Sequence, residues 1–307
     1  TNMTELLVFD HPENVEVLID KYGNTHTISN PELPLTSKTL DGSNIDSLLS
    51  SKDSLVYMSG IPDENSGDMD AVILTFDKPS GQDTGKLVLK GKNSFWLDYI
   101  HGQFSELFGE RFDTWKEKQK KQSPEKMIKW SLDQGIPLSV YIETEHGWEF
   151  ADYYNVVGPL AAKEDVLEID LHNIKSDKVN IKLEFGFLFW EIDYVAMDFT
   201  PNHSVEEHTV SLFSAFDENN NDVSDKLMFD DKKYYIQPHI GNEALLTFQV
   251  PNQSEGTKRS FILHSKGHYE ILKEIDGKPD IAYLKGFREP GAFSQFSKNR
   301  FIKFYDY

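Results

Sequence analysis

Apolar positions along the chain come in short runs rich in aromatic and β-branched residues, separated by clusters of Asn, Asp, Gly and Ser. Runs of that length between turn residues predict strands. They fall at 15–19, 70–76, 86–90, 138–143, 179–185, 244–250 and 260–264, with turns at Tyr22-Gly23-Asn24, Asp41-Gly42-Ser43 and Asp276-Gly277-Lys278. One segment changes period. From Ile100, the residues Phe104, Leu107, Phe108, Phe112 and Trp115 recur at intervals of three and four, which predicts an amphipathic helix to about Lys120. Ser123-Pro124-Glu125 then supplies an N-cap with Pro at the first helical position, and Met127, Ile128, Trp130 and Leu132 run to a stop at Gly135. The expected fold is all-β dominated: two antiparallel β-sandwich or jelly-roll-like domains with a helical insertion at about 100–134. That insertion either covers a sheet end or acts as a lid beside a site.

The strand pattern repeats. "NIDSLLSSKDSLVY" at 44–57 aligns without gaps on "DVSDKLMFDDKKYY" at 222–235, matching Ile45 with Val223, Leu49 with Leu227, Asp53 with Asp231 and Tyr57 with Tyr235. "LTFDKP" at 74–79 then faces "LTFQVP" at 246–251, and "LVLKGK" at 87–92 faces "FILHSK" at 261–266. Three blocks in one order predict a duplicated strand unit, 36–99 against 214–272. Where the residues turn polar, at Thr200-Pro201-Asn202, a boundary is expected, giving domains 1–200 and 201–307.

Composition narrows the chemistry. The 307 residues include Phe 21, Tyr 13 and Trp 5, enough to bury compact cores. Lys+Arg of 31 against Asp+Glu of 51 gives a net charge of -20, which repels phosphate backbones and argues against a nucleic-acid partner. Zero Cys excludes disulfides, thiolate metal sites and a Cys nucleophile. No apolar run approaches the ~18 residues of a membrane span. The start at Thr1, without Met, reads as processed or truncated, and the expected location is extracellular, cell-surface or periplasmic.

"FWLDYI" at 95–100 echoes "FWEIDYV" at 189–195: an aromatic pair, then Asp98 or Asp193, then Tyr and a β-branched residue. On a regular strand Trp190, Ile192 and Tyr194 share one face while Glu191, Asp193 and Val195 share the other. Aromatic faces stack on sugar rings and carboxylates accept hydroxyl protons, so Trp96, Asp98, Trp190, Glu191 and Asp193 are candidate ligand-binding residues. The competing reading makes the aromatics core and the acids solvated. Two acidic loops offer hard oxygen ligands. Residues 217–222 begin with a calcium-loop alternation, but Asp222 stands where Gly is required and Met228 replaces the closing Glu, so an EF-hand is rejected. The other loop places Asp63, Asp68 and Asp70 before a strand. With Asp193 they are the candidate metal ligands.

Residues 179–199, "VNIKLEFGFLFWEIDYVAMDF", bring in a family. A strand, a Gly and aromatic loop and then "IDYVAMDF" resemble the final hairpin of galactose-binding-like β-sandwich domains, which include carbohydrate-binding modules. The resemblance is strong over these residues and looser over 70–200. It implies a jelly roll of two antiparallel sheets, a structural calcium near the ends of the first and last strands, and ligands held by end loops or by one sheet face. It places Asp193 and Asp198 on the last strand, with Asp193 expected near a ligand or ion and Asp198 at the strand end or facing solvent. The helical insertion departs from the pattern.

Other chemistries lose ground. His264 and His268 lie ~13 Å apart on a strand, which disfavours zinc. G-x-S-x-G and both Gly-rich phosphate-loop patterns are missing, so neither a serine hydrolase nor a nucleotide enzyme is expected, and no haem either. The leading expectation is a non-catalytic binding protein for glycan or another extended ligand. Its rivals are a glycan hydrolase with paired acids ~5 to 9.5 Å apart, and an assembly module whose units pack on other domains of a longer chain.

Overall fold

Val179, Ile181, Leu183 and Phe185 are fully buried, while Asn180, Lys182 and Glu184 between them are not. This is the alternation of a strand with one face in the core. The same rule sets most strands of the protein. The computed structural model describes residues 1–61, 67 and 69–305. In chain order the strands are β1 (Met3–His11), β2 (Glu16–Ile19), β3 (Thr25–Ile28), β4 (Pro31–Glu32), β5 (Thr36–Thr39), β6 (Met69–Asp77), β7 (Thr84–Asn93), β8 (Leu138–Thr144), β9 (Gly147–Tyr154), β10 (Lys163–Asp170), β11 (Lys178–Gly186), β12 (Trp190–Asp198), β13 (Glu206–Asp217), β14 (Ala244–Phe248) and β15 (Lys258–Lys266). The helices are α1 (Asp46–Leu49), α2 (Phe95–Glu106), α3 (Phe112–Gln119), α4 (Pro124–Asp133), α5 (Ile281–Gly286) and α6 (Ala292–Tyr305). The fold is all-β dominated, with antiparallel pairing throughout the sheets described below.

The chain divides into two units: Thr1–Val17 with Pro201–Lys273, and Leu18–Thr200 with Glu274–Tyr307. This differs from 1–200 and 201–307 at both ends. β1 leaves the first half because its two neighbours are β13 and β15, and the C-terminal helices leave the second because Phe287, Phe293 and Phe296 pack in the larger unit's core.

The larger unit is a sandwich. One sheet runs β10-β7-β12-β4 and the other β5-β6-β11-β8-β9. Leu87, Leu89, Val195 and Met197 of the first meet Val72, Leu74, Ile181 and Leu183 of the second in one core. Fully burying each such side chain contributes about 1.5–3 kcal/mol. The helical insertion is present but starts earlier than the periodicity predicts. The Ser94 side chain accepts from Leu97 N–H, so α2 begins at Phe95. Phe95 to Ile100 is therefore helix, not a second copy of the β12 strand.

β12 carries a bulge. Its register against β7 shifts between Ile192 and Tyr194, leaving Asp193 as the extra residue. The expected alternation fails there. Trp190, Ile192, Val195 and Met197 all reach the main core, whereas Tyr194 and Ala196 pack on the other face with Ile28 and Val166.

The smaller unit runs β14-β13-β1-β15, with β13 shared between two sheets: residues 206–211 pair with β1 and, past a register shift between Leu212 and Ser214, the rest of the strand pairs with β14. Its pairings repeat those of the larger unit. β5 meets β6 at Thr36↔Thr75 and Ser37↔Leu74; β13 meets β14 at Ser214↔Thr247 and Ala215↔Leu246. β4 meets β12 at Glu32↔Met197 and Pro31↔Asp198; β13 meets β1 at Val210↔Leu6 and Thr209↔Leu7. Ser50 bridges Tyr194, as Met228 bridges Met3. Tyr57 N–H donates to Ile192 O, as Tyr235 N–H donates to Thr1 O. The first two sequence blocks thus lie at matching registers. The third is displaced: Leu87 meets Met197 while Leu263, not Phe261, meets the corresponding Leu6. A two-residue shift keeps each side chain on its face.

Candidate functional site

The alternation that buries one face of β11 and β8 turns Asn180, Lys182, Glu184, Ser139, Tyr141 and Glu143 outward. β9 adds aromatics to this outer face, because Trp148 lies opposite Glu143 and Phe150 opposite Tyr141. Phe150 is 50% exposed and Trp148 37%. The Tyr141 and Phe150 rings meet edge-on at 5.6 Å. Lys182 Nζ sits 4.2 Å from the Tyr141 ring centre and 5.8 Å from that of Trp148.

Polar groups fill the same face. Lys182 Nζ donates to Glu184 at 2.7 Å. Asn180 Nδ2 donates to Glu143 Oε2 at 2.7 Å and its Oδ1 accepts from Thr75 Oγ1 at 2.8 Å. Burial, followed by the charge of Glu184 and its hydrogen bond, pushes the Tyr141 hydroxyl up to about 12. Tyr141 therefore stays a neutral donor to Glu184 at any ordinary pH.

α4 walls the face. Ser123 caps its start by accepting from Lys126 N–H. Its end is pinned where Gly135, at φ +68°, passes so close to β11 that a Cβ would lie 2.7 Å from Gly186 N. Gly186 N–H in turn donates to Gly135 O. The buried Gln134 side chain accepts from Phe293 N–H and donates to Glu289 O, which fixes the neighbouring Pro290 and Gly291. Sheet face and helix enclose a groove of about 720 Å³, lined among others by Tyr141, Phe150, Glu184, Ile128, Lys129 and Asp133. A second cleft of about 870 Å³ lies among Phe104, Trp115, Trp130 and Phe287, with Lys126 and Arg288 beside them, but no carboxylate lines it.

The residues singled out in the sequence lie elsewhere. Trp190 is fully buried, its Nε1 donating to Ile136 O at 3.0 Å. Trp96 packs on Tyr99, Phe301 and Phe304 while its Nε1 donates to Ser297 Oγ. Asp98 is exposed on α2. Glu191 pairs with Lys92 at 3.1 Å. Asp193 is 2% exposed: Oδ1 accepts from Ser54 N–H at 2.8 Å and Oδ2 faces Lys90 Nζ at 2.6 Å. That ammonium offsets the charge of the buried carboxylate. Asp198 is the reverse of solvent-facing. Burial works to raise its carboxyl, yet bonds from Thr200, Asn30 and Ser29 hold it below the usual value, with Lys86 at 3.8 Å.

Asp70 points to the core side of β6, opposite Phe185, and accepts from the Tyr57 hydroxyl at 3.0 Å. Asp63 and Asp68 lie outside the described residues. Among the described residues no group of three or more His, Asp or Glu gathers as a metal site, and no helix is long and apolar enough to cross a membrane. The outer-face groove was missed because Tyr141, Trp148 and Phe150 are brought together by the β8–β9 pairing. The signal available was the aromatic and acidic alternation of "SVYIETEHGWEF". Comparison of the chain with family models, curated proteins and solved structures finds no match.

Proposed function

We propose that the protein binds carbohydrate without catalysis, at the groove between α4 and the outer face of β8, β9 and β11. The observation that carries this reading is the Tyr141–Phe150 ring pair with Glu184, which line the groove, and the exposed Trp148, Glu143 and Asn180 that continue the same sheet face beside it. Flat aromatic faces take the C–H side of a pyranose ring, and fixed carboxylates and amides accept and donate to its hydroxyls. Ligand on one sheet face is also one of the two placements that the resemblance to galactose-binding-like domains implies.

Binding is favoured over hydrolysis by how the acids are held. Glu184 is committed to Lys182 and Glu143 to Asn180. A retained general acid needs a carboxyl raised by its surroundings and aimed at the ligand. Among the described residues, the carboxyl that burial leaves above its usual value is Asp70, on the core side of its strand. A glycan array probed with the intact chain, with and without calcium, tests the proposal. Glycan signals lost in Phe150→Ala support it. Calcium dependence would add the structural ion that the resemblance implies, and an array blank under both conditions would refute the proposal.

A further inference from the structure

The matching registers of the two units make their difference informative. In the larger unit β6 has two neighbours, β5 and β11, and β7 has two, β12 and β10. Among the described residues of the smaller unit, the corresponding β14 pairs with β13 alone and β15 with β1 alone. The edges where β11 and β10 would lie are open.

Burial follows the same division. Val72, Leu74 and Phe76 on β6 are fully buried, whereas Ala244, Leu246 and Phe248, at the same registers on β14, are only half-buried. Leu87 on β7 is fully buried, whereas Leu263 at its register on β15 is 52% exposed, and Phe261, two residues before it on the same face, is 55% exposed. An open β edge bordering exposed apolar side chains is a template for another strand.

One continuous segment, residues 163–186, supplies both β10 and β11 by crossing from one sheet to the other.

We infer that the smaller unit docks a strand–loop–strand segment of another polypeptide. Its first strand pairs antiparallel with β15; its second alternates apolar residues and pairs antiparallel with β14. The segment completes the sandwich as residues 163–186 complete the larger unit. Main-chain bonds along two edges give affinity, and Leu246, Phe261 and Leu263 give the apolar side its selectivity.

The test uses a synthetic peptide of residues 163–186 as probe, titrated into the intact chain, with amide hydrogen exchange as readout. The expected result is saturable protection confined to the β14 and β15 amides. Binding should weaken roughly tenfold or more in Leu263→Asp, an exposed position whose change leaves the far-UV circular dichroism unaltered. Two results overturn the inference. One is no protection of β14 or β15 at saturating peptide. The other is concentration-dependent self-association that protects both edges without peptide, which makes a second copy the occupant.

Discussion

Asp193 on β12 and Asn2, one residue before β1, occupy matching positions and do the same work. Asp193 accepts from the backbone of Ser54, and Asn2 Nδ2 donates to Asp231 O at 2.7 Å and to Asp230 Oδ1 at 3.2 Å. Each ties a strand to the loop that ends at Tyr57 or Tyr235. A lysine accompanies each arrangement: Lys90 faces Asp193, and Lys266 donates to Asp230. A residue that looked like a ligand-binding acid is a loop clamp.

The first prediction follows. Asp193→Ala leaves the Lys90 ammonium facing a void and frees Ser54 N–H, which should cost about 3–5 kcal/mol in chemical denaturation. Asp193→Asn, which copies the Asn2 solution, should cost less than half as much. Equal small losses would show that the clamp carries no stability.

Trp190 and Trp115 should separate by burial. Trp190→Ala removes a fully buried indole and should cost about 3–5 kcal/mol. Trp115 is half-buried, tilted against Phe108 at 4.4 Å and stacked on Phe112 at 5.8 Å. Its replacement should cost about 1.5–3 kcal/mol. Thermal melts that rank the two the other way would place the helical cap, not the sandwich, at the centre of stability.

Much of the fold was legible because alternation is a local signal. Val179, Ile181, Leu183 and Phe185 announce β11, and the Ser123-Pro124 start of α4 is where the capping chemistry puts it. What escaped was non-local. Nothing within 189–195 reveals that Asp193 is a bulge, since the extra residue exists only relative to β7. Similarly, "FWLDYI" reads as a strand until Ser94 caps it. The groove escaped because its aromatics meet across a hairpin.

Acid should destabilise both units. In the smaller, the hydrogen bonds from Arg259, reinforced by Ser254 N–H against some burial, push Asp10 down to about 2. In the larger, burial would raise Asp20, but bonds from His26, Asn24 and Tyr22 outweigh it and bring the carboxyl to about 2. A depressed carboxylate binds fewer protons folded than unfolded. Its stabilisation is therefore complete above about pH 4 and lost as the pH falls through about 2. Melting temperatures taken across that window should fall steeply, and Asp20→Asn should flatten the fall. A pH profile unchanged by that substitution would remove Asp20 from the account.

Asp70 has the opposite sign. Burial raises its carboxyl despite bonds from Ser59, Tyr57 and Ala71 N–H. The folded state then binds the proton more tightly, and stability falls as the pH rises from the usual carboxylate value through the raised one. Asp70→Asn should therefore melt higher than the parent at neutral pH and no higher at acid pH. A lower melt at neutral pH would mean that the charge is favoured where it stands.

Binding at the outer face is most directly tested by mapping amide chemical shifts while a glycan recovered from the array is titrated into the chain. The account predicts saturable shifts confined to β8, β9, β11 and α4, abolished by Trp148→Ala with Phe150→Ala, two exposed changes that should cost the fold under about 1 kcal/mol. Shifts centred on Trp190 and Asp193, or saturable binding that survives the double substitution, would contradict it.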